Sequence, residues 1–136
     1  MRHPVIVLSD NDTGAKNLLS KVSEIKKEKI THESEDSFFR ITNNLYYVKT
    51  PKIDGRAESK IEDFFDRALF EIKLNGKSFN PEKLHGEDDE YGKAAFAEKV
   101  VRRNAKEINF AGFTSVLRRL VAVIDDYASG SAGTAQ

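Results

Sequence analysis

Four apolar residues in a row, Val5, Ile6, Val7 and Leu8, sit between Pro4 and Ser9 and run directly into Asp10, Asn11 and Asp12. A short apolar run of this kind predicts a strand buried on both faces, as in a parallel sheet. Gly14 and Ala15 then open a stretch with helical periodicity, so both aspartates fall in a strand-to-helix turn. In open α/β folds that turn lies at the carboxyl edge of the sheet, where ligands bind. Two carboxylates about 4 Å apart repel by roughly 4 kcal/mol at an effective dielectric near 20. A helix N-terminus returns only about 0.3–1 kcal/mol, whereas a divalent cation with oxygen ligands satisfies both acids. The plainer alternative is that Asp12 or Thr13 caps the helix while Asp10 is solvated.

The remainder of the chain supports an α/β reading. Leu18, Leu19, Val22 and Ile25 recur at helical spacing with lysines mostly opposite, which predicts a crossover helix. The polar residues 31–37 read as a loop, and His32 has no second His at metal-ligand spacing. Two runs rich in aromatic and β-branched residues, 38–42 and 45–49, flank Asn43-Asn44. They form either a hairpin or, in the preferred reading, a short edge piece and a central strand parallel to the first. On that reading Lys49, Thr50 and Pro51 share the sheet edge with Asp10 and Asp12. Ser59 and Glu62 match a capping box ahead of an amphipathic helix carrying Phe64, Phe65, Ala68, Leu69 and Ile72. Helical spacing resumes over 91–103, where Lys93 in the first turn opposes the helix dipole. A last helix over about 112–127 carries Phe113, Val116, Leu117, Leu120, Val121 and Ile124 on its expected buried stripe, leaving Arg118 and Arg119 outside. Residues 128–136 have little to bury and read as a disordered tail.

The 136 residues suit a single domain over 1–127, and 22 basic against 22 acidic side chains exclude a global field for nucleic acid or anionic membranes. With no Cys there is no disulfide, thiolate catalysis or zinc ribbon. No apolar run approaches a bilayer's thickness, so no membrane partner and a cytoplasmic location are expected.

Asp10-Asn11-Asp12 after one strand, Ile61-Glu62-Asp63-Phe64-Phe65 after a second and Tyr91-Gly92-Lys93 opening a later helix resemble, in that order, a TOPRIM-like domain of the OLD-nuclease type. Together with Asn44-Leu45-Tyr46 and Val48-Lys49-Thr50-Pro51 they are similar to the C-terminal extension of some retron-type reverse transcriptases. The resemblance spans most of residues 4–127. It implies a mostly parallel, Rossmann-like sheet with flanking helices. Asp10, Asp12 and Glu62 would hold Mg²⁺ or Mn²⁺, and Lys93, with Asp10, would be catalytic at a DNA or RNA phosphodiester. The family's preceding strand-turn unit with its glutamate has no counterpart among residues 1–9; either a longer polypeptide supplies it, the preferred reading, with the isolated chain not expected to cut, or the chain is a remnant that binds without cutting.

Two other functions compete with this one. A haloacid-dehalogenase-like phosphatase would use Asp10 as nucleophile and Asp12 as acid/base, but the expected Thr two residues beyond the second Asp is Gly14. A non-catalytic nucleic-acid or protein-docking module would use Arg102, Arg103, Arg118 and Arg119, with Lys49 and nearby lysines.

Overall fold

The computed structural model describes residues 3–134 of a mixed α/β chain. It divides into two compact units: residues up to Asp63 together with those from Thr114 onward, and Phe64–Phe113. The span 1–127 read from sequence as one domain thus contains a discontinuous unit and an inserted one.

The first unit is a three-layer arrangement. Strands β1 (Val5–Ser9), β2 (Phe39–Thr42) and β3 (Leu45–Lys49) form a sheet of order β1-β3-β2. β3 runs parallel to β1, with Val7 level with Tyr47 and Ser9 with Lys49, and pairs antiparallel with β2 across the Asn43-Asn44 turn. The hairpin and the central parallel strand, weighed as alternatives from sequence, are both present. Alternation along β3 sorts its side chains. Tyr47 packs with Ala15, Leu19, Val22, Ile30 and Phe39 beneath α1 (Lys16–Lys26). Tyr46 and Val48 pack with Val123 and Leu120 of α3 (Thr114–Thr134) on the other face. β1 departs from expectation: it is an edge strand, and Val5, Val7 and Leu8 stay 53%, 40% and 40% exposed.

α1 stops where Lys27 enters the left-handed region at φ 56°, its N–H returning to the carbonyls of Glu24 and Ser23. α3 reaches Thr134, through much of the stretch expected as a tail; residues 135–136 lie outside the described residues. Its buried stripe is also rotated from the expected one. Val123 packs on the sheet and Val116 is buried, whereas Leu117, Val121 and Ile124 are more than half exposed. The apolar set on this helix is wider than one stripe, so periodicity alone could not choose which part meets the sheet.

The capping-box helix does not form. In its place are 3₁₀ turns at Ile61–Phe64 and Arg67–Glu71. Ser59 Oγ is held by Thr50 Oγ1 at 2.7 Å and cannot cap, and the extended Asp66 starts the second turn by accepting from Ala68 N–H.

The second unit is an aromatic cluster under a two-stranded parallel sheet, β4 (Ser78–Phe79) with β5 (Glu90–Tyr91). Phe79 stacks on Phe96 at 4.3 Å, and Phe65 and Phe70 meet Phe96 edge-on. The helix expected over 91–103 is a short α2 (Lys93–Ala95) that widens into a π-helix over Phe96–Arg102. No helix among the described residues is long and apolar enough to cross a membrane.

Two buried groups on β3 give this fold a pH signature. Burial, then the charges of Arg119 and Lys52, lower Lys49 to about 8. Burial, then the hydrogen bond to Asp126, raises Tyr46 to about 12. Between pH 8 and the ordinary lysine value near 10.5, the unfolded chain binds the Lys49 proton and the folded chain does not, so stability rises with pH. From about 10 to 12 Tyr46 keeps its proton only when folded, and stability falls. Urea titrations are expected to show a stability maximum near pH 10, with Lys49 alone contributing on the order of 3 kcal/mol to the rise. Lys49→Met should remove the rising limb and keep the falling one.

Candidate functional site

The acid turn is clamped at the carboxyl end of the parallel pair by a buried polar set. Asn11, Thr50 and Ser59 are 1%, 0% and 0% exposed. Asn11 N–H donates to Ser59 O at 2.8 Å and to Thr50 Oγ1 at 2.9 Å, and Ser59 N–H donates back to Asn11 O at 3.0 Å. Thr50 Oγ1 also donates to Ser59 O at 3.0 Å. The ends of β1 and β3 and the segment around Ser59 are thereby tied together at the edge where ligands meet α/β sheets.

That clamp sets the acids. Asp10 Oδ1 accepts from Ile61 N–H at 2.8 Å, which places Glu62 in sequence directly after the residue that Asp10 holds. Oε2 of Glu62 is buried. Asp12 is extended and caps the first helical turn, its Oδ1 accepting from Ala15 N–H at 3.2 Å. Glu58 Oε1 accepts from Thr13 N–H at 3.0 Å, a role with no local sequence signal because the two positions are 45 residues apart. The capping alternative therefore holds for Asp12, while Asp10 is joined to the Glu62 segment. Between them the Asn11 side chain donates to His32 O at 3.1 Å, and its Oδ1 is buried without a hydrogen bond.

A cleft of about 790 Å³ opens beside the turn, lined by Asp12, Thr13, Lys16, Leu19, Lys29 and His32 among others.

Among the described residues no group of three or more His, Cys, Asp or Glu side chains is arranged to hold a metal ion. Asp10 and Asp12 each commit one oxygen to a backbone N–H, so the turn is not an all-protein cage. Its donors fit instead the Mg²⁺ mode in which one or two carboxylates are joined by waters and substrate phosphates.

The other candidate residues are dispersed. Lys49 shares the edge but is 1% exposed, and its Nζ donates to the carbonyls of Thr31, His32 and Ser34 at 2.8, 3.2 and 2.6 Å. It pins the 31–34 loop and presents no charge to nucleic acid. Arg119, expected outside, is partly buried and donates to Lys49 O at 2.9 Å. Arg118 is exposed on α3. Lys93, Arg102 and Arg103 belong to the second unit, where Arg102 pairs with Glu98 at 3.1 Å one turn away.

Tyr91-Gly92-Lys93 has a structural explanation of its own. A Cβ on Gly92 would lie 2.5 Å from Leu84 O, so only glycine fits. The N–H groups of Lys93 and Ala94 donate to the carbonyls of Lys83 and Leu84 at 2.8 and 3.0 Å.

The two aspartates hold different amides, which separates their effects. Asp10→Ala should accelerate hydrogen exchange at Ile61 and Asp12→Ala at Ala15, each costing about 0.5–2 kcal/mol. NMR exchange rates check this; faster exchange at both amides in both variants would contradict it.

No protein-family model matches the chain, and no solved structure matches it significantly.

Proposed function

We propose that the acid turn is a divalent-cation site for phosphodiester chemistry, of the TOPRIM type, working as part of a longer polypeptide. The observation that carries this reading is the joining of Asp10 to the Glu62 segment through Ile61 N–H, at the carboxyl end of a parallel strand pair. Glu62 lies 50 and 52 residues beyond Asp12 and Asp10, and a helix cap at Asp12 alone gives no reason for Asp10 to hold the amide next to it.

In this reading Asp10 and Asp12 hold Mg²⁺ or Mn²⁺, with Glu62 as the adjoining acid. The cation, when bound, polarises a phosphoryl oxygen and lowers the pKa of an attacking water. The chain's own part is positioning. The Asn11, Thr50 and Ser59 set fixes the turn on rigid sheet ends, Asp10 orients the Glu62 segment, and Asp12 anchors the start of α1. A DNA strand is the favoured substrate.

Asp10→Asn and Asp12→Asn each retain an oxygen for their backbone partner while removing the charge. In the polypeptide carrying this domain, either variant should lower Mn²⁺-dependent DNA cleavage by roughly 10²–10³-fold, with the melting temperature little changed. Cleavage at the parent rate by both variants would overturn the reading, and turnover of an aryl phosphate without DNA cleavage would favour the phosphatase instead.

A further inference from the structure

Much of the polar bonding in the first unit goes into shaping the cleft beside the acid turn. One wall is the face of α1 that carries Lys16, Leu19, Ser20 and Ser23, at helical spacings of three and four. From Lys16 to Ser23 that wall runs about 10 Å. Residues 29–32 form the facing wall, and Glu58, bonded to Thr13 N–H, stands with Asp12 at the acid-turn end.

Each wall is tethered. Ser23 Oγ accepts from Ile30 N–H at 3.0 Å and donates to Leu19 O at 2.8 Å, which fixes a floor where Leu19 and Ile30 are buried. Lys49 Nζ holds the carbonyls of Thr31 and His32, and Asn11 Nδ2 holds the second of them as well. The His32 ring meets Glu33 Oε1 at 3.1 Å, and Lys52 donates to the other oxygen of Glu33 at 2.5 Å. Taking a lysine out of water is costly unless it is well bonded. What Lys49 secures in return is the wall that carries His32, so the cleft is formed before any ligand arrives, as small-molecule sites generally are.

The lining sorts the ligands it suits. Leu19 and Ile30 give an apolar floor, His32 a flat ring and Ser20 a hydroxyl. Lys16 lies toward the acid turn and Lys29 beside Ile30, toward the Ser23 end. Both are exposed, and unlike Lys49 and Arg119 neither is spent on an ion pair or a carbonyl among the described residues. An acyl chain would match the floor and leave both ammonium groups unused. A planar base carried on phosphates uses floor, ring and cations together. The volume of about 790 Å³ lies in the range of sites for such small ligands, whereas a duplex keeps its bases stacked inside and offers the cleft only its backbone.

We infer that this cleft takes one unpaired base of a single-stranded nucleic acid, stacked on His32 over the Leu19 and Ile30 floor. The phosphate next to that base lies at the cation of the acid turn, and Lys16 and Lys29 meet the flanking phosphates. Histidine is among the side chains on which unstacked bases rest. The inference rests on the cation reading above and adds the form of the substrate, a strand that is unpaired beside the acids. It also makes base and metal arrive together. Asp12 and Glu58 repel a phosphate at their end of the cleft, and a bound divalent cation reverses that sign.

Fluorescence anisotropy of the full chain, at low salt with Mg²⁺, tests this with a short labelled oligothymidylate and a blunt duplex of the same length. The single strand is expected to bind several-fold more tightly. His32→Ala should weaken it at least about 5-fold, while His32→Phe, which keeps a ring without the imidazole, should bind like the parent. Ser20→Trp, on the exposed side of α1, should fill the cleft and abolish binding with an unchanged circular dichroism spectrum. Equal affinity for the duplex, or a single strand indifferent to both His32→Ala and Ser20→Trp, would overturn the inference. Mn²⁺ relaxation at the amides of Asp10 and Ile61 separates the two claims. Relaxation present there, with strand binding that Ser20→Trp does not disturb, overturns this inference alone; relaxation absent there in the parent chain overturns the cation reading and this inference with it.

Discussion

The buried hydrogen-bond set of Asn11, Thr50 and Ser59 is the constraint on which the first unit depends. Parallel pairing of β1 with β3 brings two chain ends out at one edge, where strand pairing stops and backbone groups lose their partners. Thr50 Oγ1 and the Ser59 backbone take up the amide of Asn11 there, fully out of water. An unmade bond in such a place costs about 1–3 kcal/mol, so the turn has little freedom. Asp10 and Asp12 inherit that rigidity because they flank Asn11.

The same edge shows how charge is divided between structure and function. Lys49, the basic residue nearest the acid turn in strand register, is spent on three loop carbonyls, and Arg119 is spent on the carbonyl of Lys49. Neither supplies a surface field for a polyanion. Charge balance over the whole chain had already excluded a global field. A phosphate backbone drawn to this edge would thus be held by a cation at the acids more than by side-chain ammonium or guanidinium groups.

Much of the first unit was legible in the sequence. The apolar run of β1, the α1 periodicity and the aromatic β3 each announce themselves within a few residues, and their order implies a crossover with β1 parallel to β3. Contacts of long sequence separation were not legible. Ser59 and Glu62 have the spacing of a capping box, yet Ser59 is captured by Thr50 and the amide of Ile61 by Asp10, 51 residues away, and the helix gives way to 3₁₀ turns. Along α3, the large apolar residues span an arc of about 160°, wider than a single core-facing stripe. Only the anchors of Arg119 and Asp126 to β3 decide that Val116 and Val123 are buried and Leu117, Val121 and Ile124 are not. The burial of Lys49 was hidden for the same reason: the carbonyls that hold it come from a loop more than a dozen residues upstream.

The central claim is that the acid turn seats a divalent cation. Paramagnetic relaxation by Mn²⁺ measures this on the amides of the chain itself. The account predicts that sub-stoichiometric Mn²⁺ broadens Asp10, Asp12, Thr13, Ile61 and Glu62 first, and that Asp12→Asn weakens the effect. Broadening centred instead on the acidic run from Glu87 to Glu90, or spread evenly over surface carboxylates, would contradict it.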